Sequence, residues 1–452
     1  MSNPRIYIAT HTFLPMLGGA EKQALAHACS LHERGFATTI VTMRFDKNWA
    51  AYEIIEGVPV HRVAGTLLTR REKLPGTLRS LLYLLAVLVM SWTFWRHRRH
   101  YDIIHLYHLS LETFFFAPLC RLLNKRLVVS VRCADAGRHA EQLNKKRLLT
   151  GSLDLNEAWL RVDEREQQEG DLVGLAILGR HAMRFTQIQL HYIGAVIIIL
   201  SSRMWEYLAA YDFTLPEIQL IPNGVDTRRF HPGAARIPNP GRKEDALTIM
   251  CVAKLRYQKG LDTLLYAWYI VHKQVPGAQL VLVGNGPLQQ QLERMVEALG
   301  LKGSVEFAGE QQDVVAQLHQ ADLSVLSSYW EGMPTALLEA MACALPCVAT
   351  RVSGSEDIIK HEVNGLLVEP ADYEGLAQSL LRLIRNPALA RHYGQSAHET
   401  IQKHYSLEHI TDRYVELYER LAARKVQSSS LSQHTILTSS SKTQQETDIC
   451  AE

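Results

Sequence analysis

Residues 327–349 read Ser-Ser-Tyr-Trp-Glu-Gly-Met-Pro-Thr-Ala-Leu-Leu-Glu-Ala-Met-Ala-Cys-Ala-Leu-Pro-Cys-Val-Ala. A short β-branched run at 323–326 precedes them and a second, at 347–350, closes them. Gly332-Met333-Pro334 ends a loop, and Thr335 onward reads as a helix whose first turn suits Pro334. A helix start offers free backbone N–H groups and a positive dipole end, which together make an anion site. Glu331 lies just before that start and Glu339 about one turn inside it. Two acceptor-only carboxylates flanking an anion site suit a ligand with hydroxyls on both sides of a phosphate, such as a nucleotide-sugar. Spacing alone leaves the plainer alternative open: one solvated Glu and one ordinary helical Glu.

Working outward, the same strand–helix rhythm covers most of the chain. Toward the N-terminus, strands are expected at 5–10, 37–43, 102–107, 127–132, 195–200 and 218–221, with a helix from about Glu21 to Arg34. After a Pro-, Gly- and charge-rich stretch at 231–245 the pattern restarts, with strands at 247–252, 279–283, 304–308, 323–326, 347–350 and 366–368. This alternation implies an α/β fold of two Rossmann-like parallel-sheet domains. Residues 1–230 form the first, 231–245 a linker, and 246–404 the second. Leu407, Ile410, Tyr414, Leu417, Tyr418 and Leu421 fall at helical spacing, with Ser406 as N-cap, giving a helix over 405–425. The Ser-, Thr- and Gln-rich stretch 426–452 reads as a disordered tail.

Three further loops carry candidate chemistry. Lys254, Arg256 and Lys259 follow a strand in Cys251-Val-Ala-Lys-Leu-Arg-Tyr-Gln-Lys-Gly260 and are suited to neutralise a diphosphate; the alternative is a solvated surface loop. Gly284 and Gly286, in Gly284-Asn-Gly-Pro287, let backbone approach a ligand. Gly18-Gly19-Ala-Glu21 offers an anion or sugar site after the first strand, or a simple tight turn.

The 452 residues, at roughly 100–200 per domain, allow two or three domains. Forty-eight Lys plus Arg against 46 Asp plus Glu leave +2, which gives no reason to expect nucleic acid. A mean hydropathy of −0.08 excludes a polytopic membrane protein. Seven Cys make no disulfide framework, and Cys343 and Cys347 read as small buried residues. The opening Met-Ser-Asn-Pro-Arg-Ile-Tyr-Ile carries no signal-peptide pattern, so a cytoplasmic location is expected. Absent motifs count against a nicotinamide oxidoreductase, a P-loop NTPase and a serine hydrolase. One segment stands apart: Ser80–Trp95 has no charge, and Arg96-His-Arg-Arg-His100 follows. It reads as a buried core helix, as a helix in the membrane interface with Trp92, Phe94 and Trp95 at headgroup depth, or, less well at 16 residues, as a span.

Taken in order, these motifs resemble family 4 of the glycosyltransferases, whose two-domain fold is called GT-B. The matching residues are Gly18-Gly19-Ala-Glu21, Asp102-Ile-Ile-His105, Ile221-Pro-Asn-Gly-Val-Asp226, Lys254 to Gly260, Gly284 to Pro287, Glu331 to Ala342, and Val363-Asn-Gly-Leu-Leu-Val368, within about residues 5–422. The resemblance implies two domains facing across a cleft, with the C-terminal helix crossing back onto the first. It implies retaining sugar transfer from a nucleotide-diphosphate donor to a saccharide or lipid-linked acceptor in envelope or exopolysaccharide synthesis, without metal or cofactor. By matched position Glu331 holds donor-sugar hydroxyls and Glu339 the ribose. Backbone at Gly332, Met333, Pro334 and Thr335 meets sugar and diphosphate, and Lys259 neutralises the leaving group. Gly18 and Gly19 close over the cleft.

The chain departs from the family at three places. Lys254 stands where Arg is usual, which loses the bidentate fork, with Arg256 as a candidate substitute. Tyr107 stands where a further His is common, so His105 and His108 are both candidates for the group nearest the reacting carbon. Cys133 stands where Gly is preferred; Arg132, Asp135 and Asn223 remain cleft candidates. A peripheral site on the inner face of the membrane through 80–100 is a further expectation. The competing readings are a non-catalytic, membrane-docked donor-binding scaffold and a nucleotide-sugar epimerase on the same fold.

Overall fold

In the computed structural model, residues 3–16, 18–65, 76–132, 179–213, 217–233 and 247–423 are described. The β-branched runs form two sheets. The first holds β1 (Ile6–Thr10), β2 (Thr38–Met43), β3 (Tyr52–Ile55), β4 (Val58–Val63), β5 (Ile103–Leu106), β6 (Arg126–Val131), β7 (Val196–Ile199) and β8 (Ile218–Leu220), in the order β3-β4-β2-β1-β5-β6-β7-β8. The second holds β9 (Thr248–Val252), β10 (Gln279–Val283), β11 (Val305–Gly309), β12 (Leu323–Leu326), β13 (Cys347–Thr350) and β14 (Leu366–Val368), in the order β11-β10-β9-β12-β13-β14. Every pairing is parallel except β3 with β4. Helices cover both faces, so central strands such as β1 and β5 are buried at every position and read as unbroken apolar runs.

The β3–β4 hairpin was not expected. Its turn, Glu56-Gly57, takes φ of 48° and 82°, the two positive values of a type I′ turn. Asn-Gly is the usual signature there, and Glu-Gly hides it. On this edge Tyr52 and Ile54 stay exposed, which also removes the apolar run that marks a buried strand.

Five helices position the site: α1 (Gly19–Glu33), α2 (Gly76–Arg96), α3 (Leu111–Leu123), α4 (Thr335–Ala342) and α5 (Leu407–Ala423). The helix expected from Glu21 thus starts two residues earlier, on the second glycine. Helix α5 crosses back to the first domain, where Ile410, Tyr414, Leu417, Tyr418 and Leu421 join Ile6, Ile8 and Val128 in one core. Ser406 accepts the His409 N–H at 3.3 Å. The two interdomain crossings run side by side: Val225 N–H donates to Tyr405 O at 2.9 Å, and Leu407 N–H to Val225 O at 2.8 Å. A Cβ on Gly224 would lie 2.9 Å from Leu407 Cα, so only glycine lets the crossings touch. Most of the expected linker, 234–245, and the whole tail, 426–452, lie outside the described residues.

Candidate active site

In open parallel sheets, ligands bind outside the carboxyl ends of the strands where strand order reverses. The second sheet reverses between β9 and β12. The loop after β9 carries Lys254, Arg256 and Lys259, and the loop after β12 carries Glu331 to Thr335. Glu331 is buried, and its Oε1 accepts from Lys259 Nζ at 2.5 Å and from Ser328 Oγ at 2.6 Å. Its Oε2 has no hydrogen bond among the described residues, which leaves that oxygen for a ligand. The Glu339 carboxylate makes no hydrogen bond among them either. Burial pushes its carboxyl above the usual range, against the pull of Lys22 and Arg229. Burial and the neighbouring Arg256 hold the Lys254 ammonium below its ordinary value, opposed by Glu21 and Glu310.

Two helix starts meet here. Helix α1 begins at Gly19 and α4 at Thr335, and a Cβ placed on Gly19 would lie 3.4 Å from Thr335 Oγ1. The starts of two helices, one per domain, therefore lie against each other, each with the unsatisfied N–H groups of a first turn. Pro334 caps α4 from outside, in extended backbone, one position earlier than the helical turn expected for it.

Close approach at the glycines is of two kinds. A Cβ on Gly332 would sit 2.0 Å from Arg132 O, so this glycine lets the first domain reach the donor loop. Gly354, at φ 79° and 2.8 Å by the same measure from Gly332 O, supports that loop from below and was not read from sequence. Gly284 and Gly286 correct an expectation. Their Cβ positions point at Ala253 O (2.0 Å) and Leu255 O (2.4 Å). They admit the chain's own Lys254 loop, a close approach that the sequence did not name.

His105 also corrects an expectation. It is fully buried, with Nδ1 2.7 Å from Tyr418 Oη and Nε2 2.8 Å from Ser130 Oγ. Burial, with His27 and Arg132 nearby, pushes its pKa well below the usual range. Both nitrogens are engaged, so it pins α5 to the first sheet and does not face a reacting carbon. His108 is half-buried and lines a small cavity with Thr10, His11 and Glu112. Arg132 lies over the Tyr107 ring at 4.0 Å and donates to Asn223 Oδ1 at 2.7 Å; Asn223 Nδ2 donates to Met333 O at 3.2 Å. Arg132 and Asn223 thus tie the first domain to the loop after β12. Asp135 and Cys133 lie outside the described residues.

The "Glycosyltransferase Family 4" model matches residues 17–229, and the "Glycosyl transferases group 1" model matches residues 235–400. The chain belongs to glycosyltransferase family 4. The fold of this family 4 protein is GT-B. It superposes on sucrose-phosphate synthase from Thermosynechococcus elongatus with a TM-score of 0.71 and 23% identity, over 93% of this chain and 100% of that one. Against Anabaena HepE in complex with UDP-glucose the TM-score is 0.66 at 16% identity, over 92% and 99%. It is 29% identical to the Escherichia coli UDP-Gal:alpha-D-GlcNAc-diphosphoundecaprenol alpha-1,3-galactosyltransferase over 216 residues, 46% of this chain and 56% of that protein. Four other curated relatives are matched over 24% to 59% of their own length.

The family 4 protein also has contacts that its sequence hid. A second set of interdomain links joins the loop after β7 to residues 353–357: Ser201 Oγ lies 2.6 Å from Ser353 Oγ, the Ser202 N–H donates to the Asp357 carboxylate, and Arg203 Nη2 donates to Glu356 Oε2 at 2.7 Å. In the first domain, Glu112 at the start of α3 is buried and accepts from Tyr83 of α2 and from Ser110, with His11 Nδ1 3.5 Å away. Burial alone would raise this carboxyl; the His11 contact, with Ser110 and Tyr83, outweighs it and brings it down to about 2. No local motif announces residues drawn from three separate segments.

Helix α2 divides its faces. Ala86, Val87, Met90 and Phe94 enter the core. Leu78, Leu81, Leu85, Leu88, Trp92 and Trp95 are exposed, at spacings of three and four that form one stripe. The buried reading of 80–95 describes one face, and Phe94, expected at headgroup depth, lies in the core on that face; the opposite face is exposed and apolar. No helix among the described residues is long and apolar enough to cross a membrane.

Proposed function

We propose that this family 4 protein is a retaining, metal-independent hexosyltransferase that moves a sugar from a nucleotide-diphosphate donor to a saccharide or lipid-linked acceptor in envelope or exopolysaccharide synthesis. The observation that carries this reading is the meeting of two helix starts, α1 and α4, between the free oxygens of Glu331 and Glu339. Departure of a nucleoside diphosphate builds negative charge. Helix N-termini fixed before the reaction, with Lys254, Arg256 and Lys259 beside them, stabilise that charge without reorganising. Glu331 Oε2 takes donor-sugar hydroxyls and Glu339 takes ribose hydroxyls. Retention rests on the family resemblance. The fold shared with HepE, solved with UDP-glucose, supports a uridine donor.

The exposed stripe of α2, ending in Arg96 and Arg99, fits an anionic lipid surface: apolar rings at headgroup depth, with cations beside them. On this reading the enzyme works at the cytoplasmic face of the membrane.

The test is a screen of nucleotide-sugars for thermal stabilisation, followed by assay of nucleoside diphosphate release with the best donor. Stabilisation with release is expected. Stabilisation with no release across a broad donor panel would make the protein a donor-binding scaffold, and no stabilisation by any donor would sink the reading.

A further inference from the structure

The basic run that ends α2 carries imidazoles as well as guanidinium groups. In Arg96-His97-Arg98-Arg99-His100 two histidines interrupt three arginines. The helical turn continues into them: His97 N–H donates to Thr93 O at 2.9 Å, and His100 N–H to His97 O at 2.7 Å. The His97 and His100 rings lie 6.0 Å apart between centroids. A third imidazole reaches the same place from β4, with the His61 ring 5.6 Å from that of His97. The exposed aromatic end of α2 adjoins them. There the Trp92 and Trp95 rings stack at 4.7 Å, and Arg98 lies 4.7 Å over Trp95.

No carboxylate among the described residues forms an ion pair with any of the three imidazoles. On the β3–β4 hairpin, Tyr52 and His61 share one face with their rings 4.8 Å apart, while Glu53 and Arg62 pair on the other. From β1, Tyr7 meets the His97 ring at 6.2 Å, and Arg5 donates to Arg99 O. Asp102 is engaged elsewhere, by Arg5 at 3.0 Å and with Lys125 4.0 Å away. Burial and the neighbouring His97 hold the His61 imidazole below its ordinary value, and burial, His100 and Arg96 do the same to His97. His97 Nδ1 is buried with no hydrogen-bond partner among the described residues. A structural histidine is usually fixed by an acceptor on one nitrogen. This cluster instead meets like charge, so its rings are neutral at neutral pH and gain protons as pH falls.

We propose that His61, His97 and His100 make lipid docking proton-sensitive: as pH falls below neutral they add cations beside Arg96, Arg98 and Arg99 and tighten the hold of α2 on an anionic lipid surface. This rests on the reading that α2 docks on lipid. By reciprocity, an anionic surface favours the charged rings, so docking takes up protons. Each cation near an anionic leaflet contributes about fivefold in binding.

The experiment is co-sedimentation of the full chain with vesicles of phosphatidylglycerol and phosphatidylcholine at fixed ionic strength. Binding at about pH 5.5 is expected to exceed that at about pH 7.5 by about tenfold or more, with no such rise on phosphatidylcholine alone. The triple variant His61→Gln, His97→Gln, His100→Gln is expected to match the wild type at the higher pH and to lose most of the rise. His100 is exposed, so His100→Gln tests the same point where the triple variant does not fold; it should lose about fivefold of the rise. His100→Lys is expected to bind about fivefold better at the higher pH, because its charge is permanent. Calorimetry of docking at about pH 6 in buffers of different ionisation enthalpy should show proton uptake in the wild type and little in the variants. Equal wild-type binding at the two pH values overturns the proposal. So does a full rise in the folded triple variant, which would assign it to other histidines, or an equal rise on phosphatidylcholine alone. No binding to any vesicle at either pH overturns the docking reading of α2 itself.

Discussion

The crevices at the two reversal points differ in how they are built. The one at β9 and β12 takes Glu331, Thr335 and Glu339 from a single nine-residue stretch, and its cations from six residues after β9. The one at β1 and β5 gathers Thr10, His11, Tyr83, His108 and Glu112 from segments up to about a hundred residues apart. A site written on a helix start and the loop before it keeps its chemistry within one stretch of chain. A site assembled by the tertiary fold changes with any of its segments.

The contrast is tested first where the effect is largest. Glu331→Ala or Lys259→Ala is expected to lower turnover by about 10²-fold or more, because transition-state charge loses a fixed partner. Lys259→Ala also leaves the buried Glu331 carboxylate without its cation, which costs about 3–5 kcal/mol, so folding must be checked by thermal melt beside the rate. Wild-type rates in both would remove the local site from the mechanism.

Gly332→Ala tests whether the crevices must close on each other. Its Cβ would meet Arg132 O at 2.0 Å, so the domains must part; donor affinity is expected to fall about tenfold by titration calorimetry. Gly277→Ala, where a Cβ meets nothing within 4 Å, is expected to change stability by under about 0.5 kcal/mol.

Next comes pH. The Glu339 carboxyl is raised, so as pH falls it takes up its proton before an ordinary carboxyl does. Donor affinity is then expected to drop severalfold above the usual carboxylate range, and Glu339→Gln to flatten that drop. The stability term has the opposite sign: the raised group favours the folded state at low pH and loses that contribution as pH rises through its folded value. A pH profile identical in the two proteins would separate Glu339 from the ribose.

On the other wall, the protein is expected to co-sediment with anionic liposomes, less so at high salt, and Leu88→Ser with Trp92→Ser to reduce it severalfold. Undiminished binding in that double variant would move the lipid contact elsewhere. Apart from the Gly277→Ala control, the smallest effect is expected at Arg203→Ala. Its pair with Glu356 is partly exposed, so about 0.2–1 kcal/mol is at stake in a denaturant melt.

The sequence showed most where chemistry and chain are collinear. The βα rhythm located both sheets, and the block at 327–349 located Glu331 and Glu339 beside the reversal point of the second. It failed where partners are remote. His105 reads, beside His108, as a candidate for the group nearest the reacting carbon because nothing near it predicts Tyr418, 313 residues away. Gly284 and Gly286 read as ligand-facing because a glycine reports close approach without naming what approaches. The uncharged stretch 80–95 gave no amphipathic signal because both of its faces are apolar, and only the core decides which is inside.

The return of α5 to the first domain sets an order of events during synthesis. Tyr414, Leu417, Tyr418 and Leu421 are at most 3% exposed, and burying each contributes about 1.5–3 kcal/mol. Together that rivals the whole net stability of a typical domain, about 5–15 kcal/mol. The domain made first therefore waits for the chain made last. At about 5–20 residues per second, the ribosome leaves the groove that receives α5 open for tens of seconds, with Ile6, Ile8 and Val128 at its floor. Pulse proteolysis of stalled nascent chains would show it: protection of β1 and β5 should arrive only after Leu421 has left the exit tunnel.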